Sequence, residues 1–210
     1  MLVSWSWLQQ YVDLSGLKPE EVANRLMLAG LNLESIKDAG SDVCIDLEIT
    51  SNRPDCLGHI GVAREIAVLF ERPLKLPLPL GEGRGEGVSP GSLKQQDPHP
   101  NPLPKGEGTK PPAPSPQPPF PVRIDAPDLC PRYTARVIRG IKVKSSPAWM
   151  VQRLAAIGQP AINNIVDITN YVLMECGQPL HAFDLAKLVG QKIIVRRAKK
   201  NEPFVAIDHK

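Results

Sequence analysis

The 210 residues, 42% of them hydrophobic and 22% charged, are enough for one globular domain or two small ones. A net charge of +3 is too small to indicate nucleic-acid binding by itself. The four cysteines contain no C-x-x-C pair, which argues against a zinc site or a disulfide scaffold and favours reduced thiols. We also find no signal peptide and no apolar run long enough to cross a membrane, so we expect a cytoplasmic protein.

The N-terminal part reads as a small α/β domain. Pro19, with two acids after it, predicts a helix that ends at Gly30. Residues 43–50 alternate between apolar and polar side chains, which predicts a half-buried strand with Cys44 on its outer face. A turn and a second helix, carrying apolar residues from Val62 to Phe70, follow.

The turn at residues 51–55 has two interpretations. Asp55 is placed to cap the helix that follows. Arg53 could belong to a ligand-binding turn, but the interpretation we favour is that Arg53 and Asp55 simply pair with each other.

A low-complexity tract comes next. Fifteen of the 23 prolines lie between Pro73 and Pro121, and the heptapeptide at residues 77–83 recurs in altered form at 102–108. This composition cannot bury a core, so we predict a disordered, linker-like insertion. A proline motif that binds an aromatic groove of a partner is the alternative. The predicted domains are therefore 1–73, a linker at 74–121, and 122–210.

The C-terminal part reads as an incomplete α+β domain. Alternation over residues 133–143 predicts an arginine-rich strand or hairpin. Two helices follow, one from Ser146 and Pro147 to Gly158 and one over residues 163–176. We expect the second helix to bury Ile165, Ile168 or Thr169, Val172 and Cys176. After it we predict a stiff loop at residues 178–181, a cap by Asp184, and strands at 192–195 and 203–207. The whole chain is thus assigned to the α+β class.

Two runs of basic residues stand out. One contains Arg132, Arg136, Arg139, Lys142 and Lys144, and the other contains Lys192, Arg196, Arg197, Lys199 and Lys200. The interpretation that we favour from sequence is solvated strand edges and loops.

Residues 163–184 are the best candidate site, because they carry more polar chemistry than a buried helix normally does. The side chains that could face a ligand are Asn164, Thr169, Asn170, Gln178 and His181. His181 and Asp184 have a spacing suited to metal ligands on a helix, but Pro179 makes the segment a loop and argues against a metal. No glycine loop stands between a strand and a helix, so we see no ATP site. The competing interpretation is that the amides cap strands and turns.

The segment IVDITNYVLMECGQPLHAFD at residues 165–184 resembles the signature of the B3/B4 domain of bacterial phenylalanyl-tRNA synthetase beta subunits. Residues 3–8, 29–31, 48–57 and 61–65 resemble the N-terminal domain of the same subunit and occur in the same order. Three features depart from the family. Only about ten residues separate Leu33 from Val43, where an OB-like domain is usual, the proline-rich tract is extra, and the chain ends inside the B3/B4 region.

The resemblance implies a ligase that joins phenylalanine to tRNA-Phe with ATP and Mg²⁺, as a heterotetramer of two alpha and two beta subunits. Aminoacylation would belong to the alpha subunit, and we expect this region to bind neither ATP nor metal. The B3/B4 domain would hydrolyse tyrosine wrongly joined to the tRNA. Its editing pocket would use Thr169, Asn170, Gln178 and His181. A free-standing hydrolase of mischarged tRNA and a non-catalytic binding scaffold remain as alternatives.

Overall fold

The computed structural model describes residues 1–75 and 120–205. The predicted insertion therefore lies almost wholly outside the described residues. In chain order the helices and strands are β1 (Leu2–Ser4), α1 (Trp5–Leu8), α2 (Pro19–Leu28), β2 (Asn32–Asp38), β3 (Val43–Glu48), α3 (His59–Leu69), β4 (Val122–Ile124), α4 (Ala148–Ala156), α5 (Asn164–Cys176) and β5 (Ile193–Val195). Short 3₁₀ turns cover Pro54–Cys56, Leu185–Lys187 and Val189–Gln191. The mixture of helices and strands confirms the α+β class.

The chain forms two compact units. Among the described residues, the first unit contains 1–75 and 143–182, and the second contains 120–142 and 183–205. Helices α4 and α5 thus pack with the N-terminal segments, although the proline-rich tract separates them in sequence. The division into domains at residues 73 and 122 stays a prediction. No described helix is both long enough and apolar enough to span a membrane.

The first unit is built on an antiparallel sheet with strand order β1-β3-β2. Strand β3 confirms the prediction from alternation, whereas β2 was not predicted. The nine residues between Leu33 and Val43 supply most of β2 and a tight turn, in which the Ala39 amide donates to the Asp42 carbonyl at 2.8 Å. A hairpin of β2 and β3 therefore occupies this short stretch.

The core of this unit lies between the sheet and its helices. Its largest fully buried side chains include Trp7, Leu8, Leu26, Leu31, Ile45, Leu47, Ile66 and Leu154. The prediction that Cys44 lies on an exposed face is wrong, since the residue is buried and its thiol donates to the Ala156 carbonyl at 3.1 Å. The end of helix α4 lies against Cys44, and alternation along one strand cannot reveal such a contact.

The predicted helix ends are confirmed. Pro19 opens α2, and Gly30 lies just beyond its end with φ of +94°. Asn163 caps α5 by accepting from the Ile165 and Val166 amides, and Gly177 ends α5 with φ of +75°. Asp184 caps the 3₁₀ turn that follows it by accepting from the Ala186 amide at 3.0 Å.

Asp55 does not cap α3, so that prediction is wrong. The 3₁₀ turn Pro54–Cys56 intervenes, and Gly58 stands at the N-cap without a side-chain hydrogen bond. The carboxylate of Asp55 instead accepts two hydrogen bonds from the Arg53 guanidinium, at 3.0 and 2.8 Å. The favoured pairing of Arg53 with Asp55 is thereby confirmed.

The second unit contains a parallel pair, β4 and β5, with Val122 opposite Ile193. The strand at 192–195 is confirmed, whereas the described residues 203–205 form none. The strand or hairpin predicted over 133–143 is also absent. Side-chain burial still alternates there, with Tyr133 and Ala135 half-buried beside the exposed Arg132 and Arg136. Alternation reports which side is covered, but a strand also needs a backbone partner.

Candidate functional site

Helix α5 carries the candidate site, and it is held by a different face from the one predicted. Asp167 is its buried residue, and Tyr171 and Met174 pack against the core. Ile168 is 45% exposed and Cys176 is exposed, so the predicted core face is wrong. Apolar residues occur around most of this helix, and the spacing alone did not distinguish the two faces.

Asp167 fixes the start of α5. Its Oδ2 accepts from the Ser146 hydroxyl at 2.5 Å, and its Oδ1 accepts from the Ile162 amide at 2.8 Å. With 1% of its surface exposed, this carboxylate satisfies both donors inside the fold. The segments that lead into α4 and α5 are therefore joined.

An aromatic stack fixes the middle of α5. The Tyr171 ring stacks on Trp7 with a centroid distance of 4.5 Å, and Trp7 stacks on His59 at 4.0 Å. Arg153 donates to the Tyr171 hydroxyl at 2.8 Å and lies over the Trp149 ring at 5.1 Å. Such contacts add to the free energy of aromatic burial and restrict the ring orientations.

His59 links this stack to the backbone. Its Nδ1 lies 2.6 Å from the Met174 carbonyl oxygen, and its Nε2 accepts from the Ser4 amide at 3.0 Å. The ring must therefore be the neutral Nδ1–H tautomer. Burial lowers the pKa of His59 to about 4, although the bond to Met174 opposes the shift.

The end of α5 is also anchored. The Tyr11 hydroxyl donates to the Glu175 carboxylate and accepts from Trp7 Nε1 at 3.3 Å. Burial, followed by the bond to Glu175, raises the pKa of Tyr11 well above its usual range. The phenol stays protonated and acts as a donor at this position.

Two glycines let the loop before α3 approach the end of α5. A Cβ on Gly58 would lie 2.6 Å from the Gly177 nitrogen and 2.8 Å from the Glu175 oxygen. Since these neighbours are backbone atoms, a side chain would require the helix end to move. The start of the loop at residues 178–181 is thus set by packing on the N-terminal segments.

The four predicted editing residues lie on α5 and in the loop after it. Thr169 and Asn170 are half-buried on the helix, and Gln178 and His181 are exposed in the loop. The Thr169 hydroxyl donates to the Val166 carbonyl at 2.7 Å. Among the five polar candidates, the side chain of Asn164 binds the backbone, since its Oδ1 accepts from the Lys144 amide at 3.0 Å. The assignment of the other four to an editing pocket stays a prediction.

An apolar cavity of about 420 Å³ opens beside the end of α5. It is lined by Met1, Leu2, Leu57, Ile157, Gln159, Leu173, Met174 and Gly177. Sequence reasoning missed it, because its walls come from four separate segments and no local pattern marks them.

One group of side chains has the spacing of metal ligands: in the described parts of the chain, Asp55, Cys56 and Glu65 offer atoms within 4.8 Å of one another. Arg53 already lies among them, 2.7 Å from Glu65 and 3.0 Å from the Cys56 sulfur. The guanidinium lowers the pKa of Asp55 well below its usual range. Burial and Asp55 raise the pKa of the Cys56 thiol to about 12, which disfavours the thiolate that a metal needs.

Comparison with known proteins bears on the whole chain. Residues 129–210 match the B3/4 domain family. All 210 residues align, with 48% identity, to the phenylalanine–tRNA ligase beta subunit of Rhodopirellula baltica. The beta subunit of Moorella thermoacetica is 42% identical over 201 residues, and that of Bdellovibrio bacteriovorus is 41% identical over 167 residues.

The chain thus carries a B3/4 domain on an α+β fold. It is similar over its whole length to the beta subunit of a phenylalanine–tRNA ligase, which confirms the resemblance found in residues 165–184. The alignment with the Rhodopirellula relative covers 100% of this chain and 27% of that protein. For the Moorella relative the shares are 94% and 22%, and for the Bdellovibrio relative 80% and 17%, so the chain spans about a quarter or less of the length of these relatives.

Proposed function

We propose that the chain acts as part of the beta subunit of a phenylalanine–tRNA ligase, and that its B3/4 region takes part in hydrolysing tyrosine wrongly joined to tRNA-Phe. The observation that carries this proposal is the similarity over all 210 residues to the beta subunit of that ligase from Rhodopirellula baltica. Aminoacylation would be carried out with an alpha subunit, in a cytoplasmic heterotetramer of two alpha and two beta subunits.

A separate hydrolytic site answers a physical problem. A pocket shaped for an apolar side chain rejects an isostere with one added hydroxyl by only about a hundredfold. Tyrosine differs from phenylalanine by such a hydroxyl. A second site that recognises the hydroxyl can remove the error after it has been made.

The environments of the four residues suggest a division of roles. Because the Thr169 proton is engaged by Val166, its oxygen is left to accept, as the phenol of tyrosine would require. Asn170 and Gln178 can donate and accept. The exposed imidazole of His181 can orient water or contact the terminal ribose of the tRNA.

ATP and Mg²⁺ are implied for the whole ligase, and we assign them to other parts of it. The described residues with metal-ligand spacing are Asp55, Cys56 and Glu65, and Arg53 forms ion pairs with both carboxylates. A cation would have to displace the guanidinium and deprotonate the Cys56 thiol.

The test uses the full gene product that contains this chain, assembled with its alpha subunit. In the His181→Ala variant we expect hydrolysis of preformed tyrosyl-tRNA-Phe to slow by about a hundredfold, the lower range for loss of acid–base catalysis. Charging with phenylalanine should not change. For the Gln178→Ala variant the matched control is Gln152→Ala, which replaces an exposed glutamine on α4.

If His181→Ala cleared tyrosyl-tRNA-Phe at the wild-type rate, its assignment to the editing site would be wrong. Hydrolysis by the 210-residue chain without an alpha subunit would instead indicate a free-standing hydrolase. Binding of tRNA or of the alpha subunit with no hydrolysis in the assembled protein would indicate a scaffold.

A further inference from the structure

The net charge of +3 conceals a strong separation between the two units. The described residues of the second unit carry eleven Lys and Arg against four Asp and Glu, a formal charge of +7. Those of the first unit carry nine against thirteen, a formal charge of −4. Clustering of positive charge on one unit is the electrostatic footprint of a polyanionic partner, which the overall charge does not reveal.

All four carboxylates in the described second unit have identified partners. Asp125 pairs with Arg123, Asp128 with Arg197, and Glu202 with Arg196. Asp184 accepts from the Ala186 amide. The other basic residues of this unit therefore have no carboxylate of the described second unit that is without a partner.

Three arginines outside these pairs follow one another in a single segment: Arg132, Arg136 and Arg139, here called the arginine strip. All three are exposed, and no ion pair joins them to any carboxylate in the parts of the chain that the structure describes. The sequence itself has no Asp or Glu from Leu129 to Val166. This lack of neutralising charge distinguishes the strip from the paired arginines of the same unit.

The strip lies on a segment without helix or strand, in which Tyr133, Ala135 and Val137 are half-buried and the intervening residues are exposed. If this segment is extended, Arg132 and Arg136 lie up to about 13 Å apart along the backbone. Guanidinium groups bind phosphate with two parallel hydrogen bonds and are less strongly hydrated than ammonium groups. Spaced guanidiniums suit a linear array of phosphates better than a single anion.

We propose that the arginine strip, which lies within the B3/4 match, binds the phosphate backbone of RNA and so holds the tRNA during editing. This inference rests on the proposed function only for the identity of the RNA as tRNA-Phe. Contacts to phosphates fix the position of a nucleic acid without reading its sequence. The strip would thus contribute affinity but not discrimination between tyrosine and phenylalanine.

The test measures binding of uncharged tRNA-Phe to the full protein over a series of salt concentrations. In the variant R132A/R136A/R139A we expect affinity at 0.1 M salt to fall about tenfold or more. The slope of log affinity against log salt should become shallower by about 2 to 3, because each lost phosphate contact removes a little under one. The triple Arg→Lys variant should recover most of the salt dependence.

The matched control is R123A/R196A/R197A, which removes the same charge from paired arginines of the same unit. It should change affinity much less. An equal loss in the control would attribute the effect to overall charge and overturn the proposal. The proposal would also be overturned if the strip variant bound tRNA with the wild-type affinity and salt slope. This holds even if that variant no longer bound the alpha subunit.

The two proposals can fail separately. If the wild-type protein does not hydrolyse tyrosyl-tRNA-Phe but the strip variant still loses tRNA binding, the editing function is wrong and the arginine strip stands. If hydrolysis depends on His181 but the strip variant binds tRNA as the wild type does, only the proposal about the arginine strip is overturned.

Discussion

The Nδ1 atom of His59 lies 2.6 Å from the carbonyl oxygen of Met174, a residue 115 positions further along the chain. The same ring accepts from the Ser4 amide through Nε2 and stacks on Trp7. One buried side chain therefore joins β1, α3 and the helix that carries Thr169 and Asn170. Its role is to position that helix.

Replacing His59 with phenylalanine should test this joint. The substitution keeps an aromatic ring against Trp7 but leaves the Ser4 amide and the Met174 carbonyl without their partner. Each buried group that loses its hydrogen bond costs about 1 to 3 kcal/mol, so with two such groups we expect the free energy of unfolding to fall by about 2 to 6 kcal/mol. Urea denaturation measures it, with His59→Gln as an intermediate case that can keep one bond. A decrease in unfolding free energy of less than about 0.5 kcal/mol would contradict the proposed role of His59 in positioning the helix.

The pH dependence of stability gives an independent test of the same residue. Burial lowers the pKa of His59 to about 4 from 6.5, so the folded state favours the neutral ring. Its contribution is complete above pH 6.5 and is lost as the pH falls from 6.5 to about 4, where the unfolded chain binds a proton and the folded chain does not. The loss should reach about 3 kcal/mol at the lower end.

Carboxylates titrate over part of that range too, so the measurement is the difference between wild type and His59→Gln. The variant should have a flatter stability profile between pH 6.5 and 4, while both proteins share the carboxylate contribution. Parallel profiles would show that His59 is not buried as a neutral ring.

The contact between Gly58 and Gly177 predicts a large effect from one methyl group. In Gly58→Ala the new carbon would overlap backbone atoms of residues 175–177, so we expect a loss of about 2 kcal/mol or more in unfolding free energy. Gly16→Ala is the control, because Gly16 has φ of +78° but no atom within 4 Å of an added Cβ. It should show the backbone strain alone, about 1 kcal/mol. Equal losses in the two variants would refute the close packing.

The helices of the candidate site were predictable, whereas their packing was not. Asn163, Gly177 and Pro147 are local signals, and each marks a helix end that the structure confirms. Which face of α5 is buried depends on Trp7, which stacks on Tyr171, and on His59, which contacts the Met174 carbonyl, and both come from distant parts of the chain. The prediction for the outer face of β3 was wrong for the same reason. The Cys44 thiol contacts the end of α4, which is more than a hundred residues away in sequence.

The positions of Thr169, Asn170, Gln178 and His181 came from a motif. The structure adds their surroundings, namely a helix anchored at three points and a loop whose start is fixed at Gly177. Sequence reasoning also missed the charge separation. It depends on which segments fold into the same unit, and residues 120–142 and 183–205 of the second unit are distant in sequence.

The four cysteines should differ sharply in reactivity, and this tests the packing of α4 on the sheet. Burial raises the pKa of Cys44 to about 11 and that of Cys56 to about 12, so neither is an accessible thiolate near pH 8. Cys176 is exposed and Cys130 is half-buried. We expect iodoacetamide to modify Cys176 first and Cys130 more slowly, and to reach Cys44 and Cys56 only on unfolding.

Mass spectrometry of peptides taken at successive times identifies each modified cysteine, and Cys176→Ser should remove the fastest step without changing the others. Urea should release Cys44 and Cys56 together if α4 and the 3₁₀ turn belong to the same cooperative unit. Early modification of Cys44 alone would mean that α4 leaves the sheet while the rest stays folded. In that case the anchoring of α5 would depend on His59 and Tyr11 rather than on α4.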